Sequence, residues 1–212
     1  MQSNIRRIML NNKGFDQWSG SYDEEIANCV GYPFEGYYEI LSEIQNRIEI
    51  TETTMILDLG IGTGLLSQVL YEKGAQIIGL DFSEKMIEEA QKKMPKAEFM
   101  KHDLTMGLPE SLKLKSFDYI ISSYAFHHFD DDHKEKLIRS LESYLKPGAL
   151  MIIGDVAFEQ SIDMNTVKFF SDDWDTDEFY MIGEEMIKRL EDMDRSVKYL
   201  QKSICGGILE IK

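Results

Sequence analysis

Cysteine is scarce. Cys29 and Cys205 are the only two in 212 residues, and no CxxC pair occurs. That argues against a disulfide framework and predicts reduced thiols in a cytoplasmic protein. Long apolar runs are missing too: none approaches the ~20 residues of a membrane helix, so no membrane partner is expected. The start carries Arg6 and Arg7 without an apolar stretch behind them, so a secretory signal is not expected. Basic residues are outnumbered, 23 Lys and Arg against 38 Asp and Glu, for a net charge of −15. Such a surface repels phosphate backbones, which disfavours a nucleic-acid substrate and leaves a small molecule as the expected partner. There is no internal repeat and no low-complexity tract. The oligomeric state, monomer or homodimer, is not legible.

What the chain does have is an ordinary soluble composition, 43% hydrophobic and 29% charged, at a length that suits one domain. It is organised around Met55 to Leu66. There a buried strand (54–59) runs into a turn with Gly60, Gly62 and Gly64, and a helix follows from about Thr63 to Lys73, stopped by Gly74. Upstream, Phe15, Trp18 and Tyr22 follow a helical spacing. Tyr37, Ile40, Leu41, Ile44 and Ile48 form one stripe of a helix over 34–48. Downstream come a strand from Gln76 to Leu80 ending at Asp81, and a helix capped by Ser83 that stops before Pro95. A strand at 97–101 and another at 117–122 follow. A helix over 130–146, acids first, leads to a fifth strand at 149–153 that ends near Asp155. This alternation predicts a parallel α/β sheet with right-handed crossovers. The pattern then changes: 159–179 reads as acidic and irregular, 180–192 as a helix, and 196–211 as a hairpin turning on Gly206-Gly207.

In an open α/β sheet, ligands bind outside the carboxyl ends of the strands. The polar residues there are Asp58, Gly60, Asp81, Asp103, Ser122, Ser123 and Asp155. An acid ending the second strand can accept both hydroxyls of a ribose. An acid after the third can accept from an exocyclic amine such as adenine N6. The glycines read GxGxG. A dinucleotide fingerprint would put its third glycine where Leu65 stands, and no Lys-Ser/Thr follows for a triphosphate loop.

Asp58-Leu-Gly-Ile-Gly-Thr-Gly64 resembles motif I of the class I S-adenosylmethionine-dependent methyltransferases. Asp81-Phe-Ser-Glu-Lys-Met86 is similar to their second motif and His102-Asp103-Leu104 to their third. The run from Phe117 to His128 resembles their fourth strand and its loop, and Leu145-Lys-Pro-Gly-Ala149 the turn before the fifth. Within the family, the stretch from Phe15 to Asp23 and the run Ser123-Tyr-Ala-Phe-His-His128 are most similar to the small bacterial YrrT-like proteins. The resemblance implies a Rossmann-like three-layer sandwich whose mostly parallel seven-stranded sheet ends in an antiparallel C-terminal hairpin strand. It implies one domain over 1–212: a helical cover (1–50), a cofactor-binding core (51–157), an acidic lid and helix (158–195) and the hairpin (196–212).

Carried over by position, it implies that Gly60 and Gly62 approach the methionyl part of S-adenosylmethionine. Asp58 would hold the loop and meet the cofactor amine through water. Asp81 would bind the ribose, Phe82 and Met86 would flank the adenine, and Asp103 and Leu104 would contact its edge. Ser122, Ser123 and Tyr124 would floor the sulfonium, and Trp18 and Tyr22 would belong to the cover. The implied activity is methyl transfer to a small-molecule acceptor by in-line displacement, giving S-adenosylhomocysteine, with no metal required. Alternatives are a cofactor-binding module without catalysis and a nicotinamide-dependent oxidoreductase, which Leu65 argues against.

His127 and His128 follow the fourth strand, near the expected methyl. Either one is a general base for the acceptor, or one packs in a loop and the other meets solvent. A metal site from His127, His128, Asp130, Asp131 and His133 competes with the helix-capping role of those acids. Asp172, Asp173, Asp175 and Asp177 alternate like a calcium loop but lack its glycine and terminal glutamate in place, so a solvated loop is expected. Phe169, Phe170 and Trp174 are candidates for an acceptor pocket or lid, and Asp155 for a structural or pocket-rim role.

Overall fold

Side-chain alternation along the strands divides the core into two faces with the sheet between them. The computed structural model describes Ile26, residues 31–172 and residues 174–212. Along the chain run α1 (Tyr37–Asn46), β1 (Met55–Leu59), α2 (Leu65–Glu72), β2 (Gln76–Asp81), α3 (Glu84–Lys93), β3 (Glu98–Lys101) and β4 (Phe117–Ser123). Then come α4 (Asp131–Leu141), β5 (Leu145–Phe158), α5 (Ser161–Phe170), β6 (Met181–Ile182), α6 (Gly183–Arg189), β7 (Val197–Gln201) and β8 (Gly206–Ile211). The readings of Phe15, Trp18 and Tyr22 as one helix face, of Trp18 and Tyr22 as part of a cover, and of Cys29 as a reduced thiol lie outside the described residues. Cys205 is a buried free thiol.

The strand order is β3-β2-β1-β4-β5-β8-β7. The first five are parallel, and β8 runs antiparallel to both β5 and β7, as expected of the sheet and its hairpin. β6 adds a short eighth strand parallel to the end of β5. On one face Ile56, Ile77, Ile121, Ile152 and Ile208 pack with Ile40 and Ile44 of α1, Leu66 and Leu70 of α2 and Ala90 of α3. On the other, Leu57, Ile78, Ile120, Ile153 and Leu209 pack with Leu137, Ile138 and Leu141 of α4 and Met186 of α6. Each such Ile, Leu or Met side chain, fully buried, contributes about 1.5–3 kcal/mol. β1 lies between β2 and β4, so the chain leaves β1 on one side and later returns on the other. At that switch point the loops diverge and open a crevice at the carboxyl ends of the strands. Among the described residues no helix is long and apolar enough to cross a membrane.

Local signals place the caps where the sequence indicates. The Ser83 hydroxyl accepts the Met86 amide at 3.2 Å, and the Asp130 carboxylate accepts the His133 amide at 2.8 Å.

Four boundaries differ from expectation. The helix expected over 130–146 ends at Leu141, because Leu145 already pairs with Phe117. A register shift then bulges Pro147-Gly148 out of β5 before Leu150 meets Tyr119. Within the segment read as irregular, α5 forms: the Asp163 carboxylate accepts the Gln160 amide at 3.1 Å, closing its first turn, and it buries no residue. The helix expected from 180 is delayed to Gly183 by the pairing of Met181 and Ile182 with the end of β5. Finally, Gly206-Gly207 is not the hairpin turn. The turn is 202–205, closed by Lys202 and Ser203 amides on the Gly206 carbonyl at 2.8 and 3.1 Å, and the two glycines open β8. Each is small for its own neighbour: a Cβ on Gly206 would stand 2.6 Å from Ile40 Cδ1, and one on Gly207 2.0 Å from Tyr199 Oη.

Candidate active site

The glycine turn is held from below by β2. The amides of Gly60 and Ile61 both donate to the Leu80 carbonyl, at 2.8 and 2.9 Å. Gly60 (φ +70) has no room for a Cβ, which would stand 2.4 Å from the Cβ of Ala125. Gly62 (φ +54) has nothing within 4 Å of its Cβ position, so it faces open space. Gly64 caps α2 in the left-handed conformation with no side-chain cap hydrogen bond, and Leu65 and Leu66 of its first turn line the cavity beside the glycine turn.

Asp81, at the end of β2, ties the turn to the next loop. One carboxylate oxygen accepts the Gly62 amide and the other the Ser83 amide, both at 2.8 Å. Asp103 follows β3 and caps a short turn, accepting the Thr105 amide at 2.9 Å and hydroxyl at 2.7 Å. Both acids border one cavity of about 500 Å³. Its walls include Gly60 and Gly62, then Phe82, Met86 and Leu104, and opposite them Ser123, Tyr124, Ala125, His128 and Phe129. Tyr124 carries a left-handed backbone (φ 52) and packs its ring 4.5 Å from that of Tyr37. A non-glycine residue held there stores about 1–3 kcal/mol, a strain that clusters at functional sites.

Asp58 and Ser122 sit behind this wall rather than on it. Ser122 Oγ donates to the Leu59 carbonyl at 2.6 Å. Asp58 is buried beneath the turn, with Ser67 Oγ donating to one oxygen at 2.6 Å. Its other oxygen has no hydrogen-bond partner among the described residues. Burial, with Asp81 nearby, pushes its pKa up to about 7 against the Ser67 hydrogen bond.

The two histidines part company. His128 lines the cavity, whereas His127 is turned toward Asp155, its Nδ1 2.5 Å from Asp155 Oδ1 and its amide 2.9 Å from Oδ2. Burial alone would lower the His127 pKa, but the Asp155 and Glu178 carboxylates outweigh it and raise it to about 9. Burial and the neighbouring His127 charge push His128 down to about 3.

Several wall residues escaped the sequence reading. Tyr37 was assigned only to the core stripe of α1, His102 and Ala125 stood inside matching motifs without a role of their own, and Thr105 and Phe129 carried no signal beyond adjacency to the motifs. Asp177, expected in a solvated loop, also borders the cavity. Trp174 stacks on Tyr32 with ring centroids 5.2 Å apart, while Phe169 and Phe170 are 83% and 79% exposed.

Comparison with known proteins bears on this arrangement. The family model described as a methyltransferase domain matches residues 56–148. An uncharacterized methyltransferase of Alkaliphilus oremlandii is 33% identical over 151 residues, covering 70% of this chain and 68% of that protein. Two solved structures share the fold. The DhpI complex with SAH aligns with a TM-score of 0.70 at 20% identity, covering 97% of this chain and 96% of the other. Magnesium protoporphyrin IX methyltransferase from Synechocystis PCC 6803, with bound SAH, aligns with a TM-score of 0.70 at 22% identity, covering 98% of each chain. The chain belongs to the class I S-adenosylmethionine-dependent methyltransferases.

Proposed function

We propose that this enzyme methylates a small-molecule acceptor by in-line displacement within the cavity at the switch point. The carrying observation is that Asp81 and Asp103, from the ends of two different strands, border the same cavity as the Gly60–Gly64 turn. S-adenosylmethionine, when bound, supplies a methyl activated by its positive sulfur. The chain's residues fit it on two counts. A volume of about 500 Å³ suits a small-molecule site. The orphaned Asp58 oxygen beneath the turn gives an ammonium group, or a water it binds, a buried acceptor.

In this reading Asp81 accepts the ribose hydroxyls, Asp103 and Leu104 meet the adenine edge, and Phe82 and Met86 flank its faces. Gly60 and Gly62 let the methionyl part lie against bare backbone. Ser123, with Ser122 behind it, floors the sulfonium. Tyr37, Tyr124 and Phe129 offer the positive sulfur weakly solvated aromatic surface. The segment 158–195, whose Asp177 borders the cavity, belongs to a lid. The walls contribute by aligning acceptor, methyl and sulfur and by excluding water. His128 on the wall, with His127 behind it, acts on the acceptor. The net charge of −15 supports a small molecule over nucleic acid, and a cytoplasmic setting accords with the low cysteine content.

Calorimetric titration of the full chain with S-adenosylhomocysteine tests this. Saturable equimolar binding is expected, and the Asp81→Ala variant should lose about a hundredfold in affinity, as two charge-assisted hydrogen bonds go at about 1.5 kcal/mol each. Absence of binding, or equal binding by the variant, overturns the reading.

A further inference from the structure

His127, His128 and Glu178 each bring one ligand-type atom to a common point, all within 4.8 Å of one another. The two histidines come from the turn after β4, and Glu178 from the segment before β6. What surrounds them decides how they present themselves. Asp155 receives both the backbone amide and Nδ1 of His127, which turns Nε2 outward. Nε2 faces Glu178 Oε1 at 3.7 Å. The other Glu178 oxygen accepts the Tyr180 hydroxyl at 2.8 Å, which fixes the carboxylate's orientation. A cation shared between His127 and Glu178, a proton or a metal ion, satisfies this pair. His128 brings a third ligand-type group to the same place, its ring centroid 4.1 Å from that of His127, and a metal ion is the cation that engages all three.

We propose that His127, His128 and Glu178 form a binding site for a divalent cation of borderline softness, with Zn²⁺ as its representative. Two imidazoles and one carboxylate match the donor set of open zinc sites. Asp155 behind His127 and Tyr180 behind Glu178 are the outer partners that such ligands carry. Charge supports the assignment. Lys134 is buried here, its Nζ donating to Asp131 at 3.0 Å and to the Phe179 carbonyl at 2.5 Å. The carboxylates of Asp131, Asp155 and Glu178 outnumber the Lys134 ammonium around these groups, which favours a bound cation. Ligand atoms of a tetrahedral Zn²⁺ site stand roughly 3.4 Å apart, so the three groups need draw together by only about an ångström.

The site adjoins the cavity through His128, which lines it. The cation's open position therefore favours acceptors with a ligating oxygen, a hydroxyl or acid group. This last step rests on the methyl-transfer reading. Cation binding does not, and it is measured separately.

The test uses the full chain, stripped with chelator and titrated calorimetrically with zinc chloride, then with cobalt chloride under visible absorption. Expected are saturable equimolar binding and d–d bands of a nitrogen-ligated, low-coordinate Co²⁺. Affinity should fall about tenfold or more in His128→Ala and in the isosteric Glu178→Gln, with folding of each checked by circular dichroism. No saturable binding, or binding of equal strength in both variants, overturns the site and leaves a protonated His127–Glu178 pair. The wild-type Co²⁺ spectrum decides the matter should either variant fail to fold. Loss of the cation site with retained S-adenosylhomocysteine binding would leave the cofactor assignment standing.

Discussion

The Asp81 carboxylate holds the Gly62 amide at 2.8 Å, so the acid ending β2 fixes the turn that follows β1. Its second oxygen does the same for Ser83, at 2.8 Å. Both oxygens therefore act as acceptors toward backbone N–H groups. The isosteric Asp81→Asn cannot reproduce this, because its NH₂ must face one of the two donors. The variant is expected to lose about 1.5–3 kcal/mol of stability through the unpaired amide, and to bind S-adenosylhomocysteine far more weakly. Chemical denaturation and calorimetry together check this; wild-type stability in the variant would refute the two-sided anchoring.

Gly60 and Gly62 share a left-handed backbone but not their surroundings. A methyl on Gly60 collides with Ala125, 2.4 Å away, whereas one on Gly62 meets nothing within 4 Å. Both alanine variants bear the left-handed cost of about 1–2 kcal/mol. Gly60→Ala adds a backbone displacement and should lose clearly more stability. Gly62→Ala should fold with the smaller loss yet bind S-adenosylhomocysteine at least tenfold more weakly, since its methyl enters the proposed ligand space. Urea melts and titrations of both variants separate the two effects. Equal profiles would show that Gly62 does not face the ligand.

Much of this was legible, and the exceptions share a cause. Ser83 and Asp130 signal their helices because a cap is a local hydrogen bond between near neighbours. The alternation of Ile56 with Leu57 reports two covered faces, and the order of elements brings Asp81 and Asp103 to one edge. What failed depends on distant partners. Gly206-Gly207 looks like a turn until Ile40 and the Tyr199 ring are seen to need the space over the first and the second glycine. Helix α5 shows no apolar stripe because it buries no residue. Glu178 looked like one more acid in a solvated loop, and only the fold brings it to within 3.7 Å of His127. Nothing in local spacing could pair them.

Asp58 should leave a signature in the pH dependence of stability. Burial is the main cause of its raised pKa, about 7 in the fold against an ordinary 3.8, with Asp81 adding to it and Ser67 opposing it. The folded chain therefore binds this proton more tightly than the unfolded chain. Its stabilising effect is complete below about pH 4 and is lost as pH rises to about 7. The slope is at most about 1.4 kcal/mol per pH unit. Asp58→Asn, which cannot ionise, should remove that slope, so the wild type minus variant difference declines steadily across the window and levels off above it. A flat difference between pH 4 and 7 would mean that Asp58 is already ionised beneath the turn.

The contact between Tyr199 and Gly207 can be tested without touching the cavity. Tyr199 is wedged over Gly207 and Gly183, with its hydroxyl donating to Gln201 Oε1 at 2.7 Å. Gly207→Ala forces the ring out and should cost about 1–3 kcal/mol by overpacking. Tyr199→Leu alone leaves a void and should cost about 2–4 kcal/mol. In the double variant the added methyl occupies part of the space that the ring vacates. Its loss should fall short of the sum by at least about 1 kcal/mol, the coupling expected of residues in direct contact. Strict additivity in urea denaturation would mean that the hairpin relieves the clash by moving its backbone. It would then follow that Gly207 is small for some reason other than the ring above it.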